Sequence, residues 1–298
     1  MKRFPIWIGN VLCAAPVIAL ACTISTPAVA QTAEPTALRT DTIYETNYQT
    51  GAVELYSARG KDLGAVGRLS FPTGLTFDKV GNLYVSSDVP GDYSIQKIAA
   101  NGTVTVFADT GLSGPHALAF DKNSNLYVAN VDANTVRKFT PAGVGTVFAD
   151  ATDGLKGPID LVFDGAGNLY VSNAFGGPTH TGSVLKVSPT GVVSVFADSG
   201  FHLAYGLAMD RAGYMYVSNY NSSTIEKFSP NGVDLGVFAS AGVHSPHGMI
   251  FDAAGNLYVA NNATQTIEKF SPTGVDLGVF ATTQSGPHFL AMFKPSSL

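Results

Sequence analysis

The sequence predicts an all-β fold, a six-bladed β-propeller of four-stranded blades whose ring is closed by N-terminal strands pairing with the C-terminal strand. Three observations carry this expectation. Five stretches repeat one pattern, each repeat holds four short strand signals, and the two chain ends supply complementary parts of a sixth. The repeats begin at Phe71, Gly114, Gly157, Leu203 and Ser245, and their shared acid falls at Asp78, Asp121, Asp164, Asp210 and Asp252, at spacings of 43, 43, 46 and 42 residues.

Within a unit, Leu75-Thr76-Phe77 is an apolar run bounded by Pro72 and by the turn Asp78-Lys79-Val80-Gly81-Asn82. Leu83-Tyr84-Val85-Ser86 follows. A third run alternates with period two, as in Thr224-Ile225-Glu226-Lys227-Phe228, and leads into Ser229-Pro230-Asn231-Gly232, with Pro and Gly where turn geometry needs them. Val237-Phe238-Ala239 is the fourth. No segment has a helical period long enough to compete. The last repeat supplies one strand, from Gly286 to Phe293, and residues 42–60 align with the second to fourth strands of a unit. Together they complete a blade and remove two sheet edges. The repeated Leu, Val and Phe positions and the series Tyr84, Tyr127, Tyr170, Tyr216, Tyr258 are read as packing between blades.

Charged residues are only 13% of the 298, and aromatic residues are 10%, which is too apolar for a disordered chain. The formal charge is −5 with Lys and Arg scattered singly, which argues against nucleic acid as a partner. Residues 1–30 read as a signal peptide. Lys2 and Arg3 precede an apolar stretch from Phe4 to Ile24, and Ala28-Val29-Ala30 is a small-x-small cleavage site. A retained membrane anchor is disfavoured by Pro5 and Pro16, and a lipoprotein signal at Cys22 by Leu20. Both cysteines, Cys13 and Cys22, lie in this segment, so the cleaved chain has no disulfide and no thiol chemistry. The expected organisation is signal peptide 1–30, linker 31–40, propeller 41–293 and tail 294–298. It describes an exported monomer, periplasmic or extracellular, with no membrane span after cleavage.

The pattern Pro72-Thr73-Gly74-Leu75-Thr76-Phe77-Asp78 … Gly81-Asn82-Leu83-Tyr84-Val85, with Ile225-Glu226-Lys227-Phe228-Ser229-Pro230-Asn231-Gly232 in the third run, resembles the NHL-repeat propellers. Streptogramin B (virginiamycin B) lyase-like and gluconolactonase-like (SMP-30) proteins are similar bacterial groups. The resemblance implies the fold over roughly residues 41–293. It leaves open a lyase, a lactonase or a plain binding module. NHL repeats usually carry Asp just after the second strand. Here Asn130, Asn173, Asn219 and Asn261 stand there, with Ser87 in one repeat and Asn47 in the split blade.

Following the chain through a blade puts the short repetitive turns on one face, the bottom, and the variable inter-blade loops on the other, the top, where binding residues gather on a rigid scaffold. All six histidines map to the top. His116, His247 and His288 each follow the Pro that opens an innermost strand, His202 and His244 lie in inter-blade loops, and His180 lies in the longest variable loop. The ring of positions after the Pro reads Thr73, His116, Ile159, Tyr205, His247, His288. Neutral imidazoles converging on an axis suit Zn²⁺ or a similar metal, so His116, His247 and His288 are candidate ligands. By resemblance, peptide-amidating lyases hold a central metal with His of this kind, although Tyr205 occupies one alternate blade here. The other possibility is that these imidazoles simply hydrogen-bond loop carbonyls. Asp160, with Asn173 and Asn219, is a set of oxygen ligands for Ca²⁺ of the kind gluconolactonase-like proteins imply; alternatively Asp160 caps a loop or meets Lys156. For a lyase, His247 or His288 would be the base, but acid partners are scarce. Glu45 replaces a Val on a strand position that should be buried, and Glu226 and Glu268 read as solvated faces. The leading expectation is a binding module gripping a small molecule, glycan or protein over the top face. Its contacts would be Asn130, Asp160, Asn173, His180, His202, Tyr205, Asn219, His244 and Asn261. The alternative is a metal-dependent lyase or lactonase-type hydrolase.

Overall fold

The computed structural model describes residues 42–177 and 182–293. The expected signal peptide, linker and tail, and His180, lie outside the described residues.

Six four-stranded antiparallel sheets make up the fold. Blade 6 is built from both ends of the chain: β1 (Ile43–Asn47), β2 (Ala52–Tyr56) and β3 (Asp62–Arg68) join β24 (Pro287–Met292). Blade 1 is β4 (Pro72–Phe77), β5 (Leu83–Ser87), β6 (Ser94–Ile98) and β7 (Val104–Ala108). Blade 2 is β8 (Pro115–Phe120), β9 (Leu126–Asn130), β10 (Thr135–Phe139) and β11 (Gly145–Ala149). Blade 3 is β12 (Pro158–Phe163), β13 (Leu169–Asn173), β14 (Ser183–Val187) and β15 (Val193–Ala197). Blade 4 is β16 (Ala204–Met209), β17 (Met215–Asn219), β18 (Thr224–Phe228) and β19 (Asp234–Ala239). Blade 5 is β20 (Pro246–Phe251), β21 (Leu257–Asn261), β22 (Thr266–Phe270) and β23 (Asp276–Thr282). The sheet orders confirm the expected closure. β24 runs antiparallel to β1, with Ile43 opposite Met292 and Glu45 opposite Leu290. Among the described residues no helix is long and apolar enough to cross a membrane.

The repeated residues earn their places locally. In the bottom turn, Asp78 Oδ1 accepts from the main-chain N–H of Asn82 (2.8 Å), and Asn82 Nδ2 donates to Asp78 Oδ2 (2.7 Å). The turn also needs one left-handed residue. Gly81, Gly167, Gly213 and Gly255 supply it at φ between 85° and 90°, and Ser124 is forced to 64° at the same place. Each tyrosine of the series packs edge-on against a phenylalanine of its own blade, and Tyr84, Tyr127 and Tyr216 also against one of the next, as Tyr84 does against Phe107 (5.1 Å) and Phe120 (5.0 Å). These rings join neighbouring blades, which is the structural role expected for them.

A second inter-blade link sits nearer the axis. The pairing of the first two strands of blade 1 skips from Pro72–Ser87 to Leu75–Val85, a bulge shared by blades 1 to 5. In blades 1, 3 and 4 a serine fills it. Ser218 Oγ accepts from the N–H of Gly206 (2.6 Å) and donates to the carbonyl of His247 in the next blade (2.8 Å). Ser86 reaches the His116 carbonyl (2.6 Å) and Ser172 the Tyr205 carbonyl (2.6 Å) in the same way. Thr46 in blade 6 donates to the carbonyl of Thr73. These hydroxyls hold the residues of the ring after the Pro, and so position the top of the channel.

Candidate functional site at the top of the channel

The bulge brings side chains from four blades to the top of the axis. Tyr205 lies face to face on His247, ring centroids 4.1 Å apart, and His247 meets His288 edge-on at 4.5 Å. His116 approaches Tyr205 and Phe289 edge-on, each at 6.3 Å. Residues just beyond the ends of the second strands add a wall. Tyr48 stacks parallel on His288 (5.3 Å) and packs on Phe71 (5.0 Å), and Tyr220 sits against His247 (5.3 Å) and Tyr205 (6.0 Å). The result is one continuous row of rings across the channel mouth.

The imidazoles in this row are neutral at pH 7. Burial pulls His116 down to about 4. Burial, and secondarily the charge of His116, brings His288 to about 3. Burial, then His288 and His116, holds His247 well below the ordinary value. The Nδ1 atoms of all three are buried without a hydrogen-bond partner. Among the described residues no group of three His, Cys, Asp or Glu side chains stands together so as to hold a metal. Tyr205 lies against both His116 and His247.

The other expected site residues are distributed differently. His202 and His244 are exposed on the top face. The asparagines are buried and hydrogen-bonded to loop backbone. Asn219 is buried, with Oδ1 accepting from the N–H of His202 (3.0 Å) and Nδ2 donating to the carbonyl of Gly200 (3.0 Å). Asn261 does the same with His244 (3.0 Å) and Gly242 (2.7 Å). Asn130 and Asn173 clamp the loops at Gly111–Ser113 and Gly154–Lys156. Each carboxamide closes a three-residue loop over an apolar residue, Leu112, Leu155, Phe201 or Val243, with its oxygen as acceptor and its nitrogen as donor. Asp160 is buried, and each of its carboxylate oxygens accepts one main-chain hydrogen bond. Oδ1 accepts from its neighbour Leu161 (2.7 Å) and Oδ2 from Leu207 in the next blade (2.7 Å). Burial pushes its carboxyl up to about 7 despite these two bonds. Glu226 and Glu268, expected to be solvated, are buried at 8% and 5% exposure, because the neighbouring blade covers both faces of a blade.

Tyr48, Phe71, Asp88 and Tyr220 were not among the expected site residues. Tyr48, Asp88 and Tyr220 share one position, immediately after the second strand, which reads Tyr48, Asp88, Val131, Ala174, Tyr220, Asn262 around the ring. Its variability beside a position that is Asn in every blade but one, where Ser87 stands, was the available signal. At the other end of the channel a cavity of about 470 Å³ is lined by the lower halves of the innermost strands, from Leu75 to Lys79 and their equivalents.

Searches against known proteins place this geometry. No protein-family model matches the chain, and no curated protein matches it in sequence. Solved structures do. A chain of a nidogen/laminin complex is 18% identical, with a TM-score of 0.74 over 86% of this chain and 99% of that one. A gluconolactonase from Xanthomonas campestris is 20% identical, with a TM-score of 0.64 over 85% and 89%. The likeness is one of fold. The propeller is therefore shared with both a chain of a nidogen/laminin complex and a gluconolactonase, and fold alone does not decide between such uses.

Proposed function

We propose that the chain is an exported binding module that holds a small molecule, a glycan or a protein segment over the top face of its propeller. One observation carries this reading: the exposed ring of Phe71 and the half-buried rings of Tyr48 and Tyr220 pack over the buried row His288, His247, Tyr205, whose imidazoles are neutral and engaged with other rings. Large rigid rings give contact area at little entropic cost, which suits recognition. Proton transfer would require a base titrating near the working pH, and burial has moved these imidazoles far below it. The similar chain from the nidogen/laminin complex supports a protein-binding use of the fold. Export rests on residues 1–30, and N-terminal sequencing of secreted protein tests it. Glycan and peptide arrays probed with residues 31–298 test binding. The expected result is a ligand set lost in Tyr48→Ala/Tyr220→Ala and kept in Lys79→Ala on the bottom rim. Retention in the first variant and loss in the second contradicts the reading.

A second reading, a metal-dependent lyase or hydrolase, is favoured by the three unpartnered imidazole nitrogens and by the gluconolactonase of similar fold. Metal analysis of the purified chain decides it. Stoichiometric Zn²⁺, Ca²⁺ or Mn²⁺, lost in His116→Ala/His288→Ala, supports it; metal-free protein with unchanged melting after chelation removes it.

A further inference from the structure

We propose that the cavity at the bottom of the channel is a second binding site, which takes an alkylammonium ion: its apolar body lies in the collar of innermost-strand side chains, and its cationic head meets the carboxylate of Asp160. The site is separate from the top face and uses none of the rings on which that reading rests.

The cavity holds about 470 Å³. That is inside the roughly 300–1,000 Å³ of small-molecule sites, which are mostly apolar with a few placed polar groups. It is layered, because equivalent positions of the innermost strands stand at one height. The deepest layer is the ring Gly74, Ala117, Asp160, Gly206, Gly248, Phe289, of which Ala117, Asp160 and Phe289 line the cavity. One residue further up, His116, Tyr205, His247 and His288 belong to the aromatic row. One residue further down, Leu75, Leu118, Leu161, Leu207, Met249 and Leu290 form the collar, each at most 6% exposed. Met209 stands half-buried at the mouth.

The fold does not need an acid in the deepest layer. Blades 1, 2, 4 and 5 make the same bulge with Gly74, Ala117, Gly206 and Gly248 at the Asp160 position. Each Asp160 oxygen accepts one main-chain N–H at 2.7 Å and keeps a second acceptor position. Among the described residues of the lining, the other charged ones are Asp78 and Lys79, both at the rim. There Asp78 holds the Asn82 side chain (2.7 Å), and the Lys79 ammonium donates to the carbonyl of Lys122. Burial pushes the Asp160 carboxyl up to about 7, so above that pH a carboxylate without counter-charge stands in an apolar enclosure. An ammonium group supplies both the opposite charge and N–H donors, while its alkyl chain fills the collar. A carboxylate ligand would be repelled, and a neutral alcohol would fill the collar without compensating the charge.

The test is calorimetric titration of residues 31–298 at pH 8 with octan-1-amine, which is protonated there, with octan-1-ol and with octanoate. The amine is expected to bind at least about tenfold more tightly than the alcohol, and octanoate more weakly than either. Asp160→Gly, which gives blade 3 the residue that blades 1, 4 and 5 carry, should remove most of the difference between amine and alcohol. Residues 31–298 contain no tryptophan, so Met209→Trp puts a single reporter at the mouth. Its fluorescence should change saturably with the amine, and equally so when Tyr48→Ala/Tyr220→Ala is added; this readout does not depend on the Asp160 variant folding. Equal affinity for amine and alcohol, no amine binding in the millimolar range, unchanged preference in Asp160→Gly, or a silent Met209→Trp while the amine binds would overturn the proposal.

Discussion

Asn219 holds the loop that carries His202 by two bonds of opposite polarity: its side-chain oxygen accepts from the His202 N–H and its nitrogen donates to the Gly200 carbonyl, both at 3.0 Å. Asn219→Asp keeps the acceptor and sets a carboxylate oxygen against a carbonyl. With the residue fully buried, the expected cost at pH 7 is about 2–4 kcal/mol. Below the carboxyl's pKa the protonated acid can donate again, so the loss should shrink toward pH 4. Thermal unfolding at the two pH values checks this, and an equal loss at both would refute the donor argument.

Glu45 and Glu54 face each other across β1 and β2, both buried, and both Glu45 oxygens lack a partner. Tyr56 satisfies one oxygen of Glu54 at 2.7 Å. The other blades place Val85, Val128, Val171, Val217 and Val259 at the Glu45 position, all fully buried. Burial, and then the charge of Glu54, holds the Glu45 carboxyl well above its ordinary value of 4.5. A raised folded pKa makes the acid least harmful below its ordinary value, and stability is lost as pH rises through the folded one. Glu45→Val should therefore stabilise the protein by about 1–4 kcal/mol at pH 8, with the gain narrowing toward pH 4. Denaturant melts across that range decide; a destabilised variant at pH 8 would show that the pair supports the closing blade.

Asp160 gives a second, separable pH dependence. Its carboxyl stands at about 7 in the folded protein against an ordinary 3.8. Its contribution is fully present below about pH 4 and declines as pH rises through 7, by up to about 4 kcal/mol. Asp160→Asn should flatten the stability profile over this interval relative to the parent chain. Parallel profiles would mean that Asp160 ionises normally.

Ring closure is the fourth expectation. Deleting residues 287–298 removes β24, exposes an edge of β1 and leaves the Thr46 hydroxyl without the Phe289 N–H it accepts at 3.1 Å. The shortened chain should lose many degrees of melting temperature or fail to fold. A melt matching the full-length chain would mean that the closing strand contributes nothing.

The architecture was readable because it depends on residues that geometry demands: Asp78 and Gly81 in a bottom turn, Pro72 opening a strand, and two chain ends with complementary patterns. The site was only partly readable. His116, Tyr205, His247 and His288 do meet at the axis, because they occupy one position of the repeat. The polar residues misled. Asn130, Asn173, Asn219 and Asn261 look like surface residues at strand ends, yet the loops fold back over them. Glu226 and Glu268 alternate with apolar neighbours, and period-two alternation cannot signal solvent where both sheet faces are covered. Tyr48 and Tyr220 were missed because they come from different blades and meet the histidine row only when the ring closes.

The most direct test of top-face binding uses the absence of cysteine beyond residue 30. Single variants Asn221→Cys at the top and Val80→Cys at the bottom are labelled with an environment-sensitive dye and titrated with any ligand selected on the glycan and peptide arrays. A saturable fluorescence change at Asn221→Cys with none at Val80→Cys is the predicted result; a response confined to Val80→Cys would place binding at the opposite mouth and contradict the account.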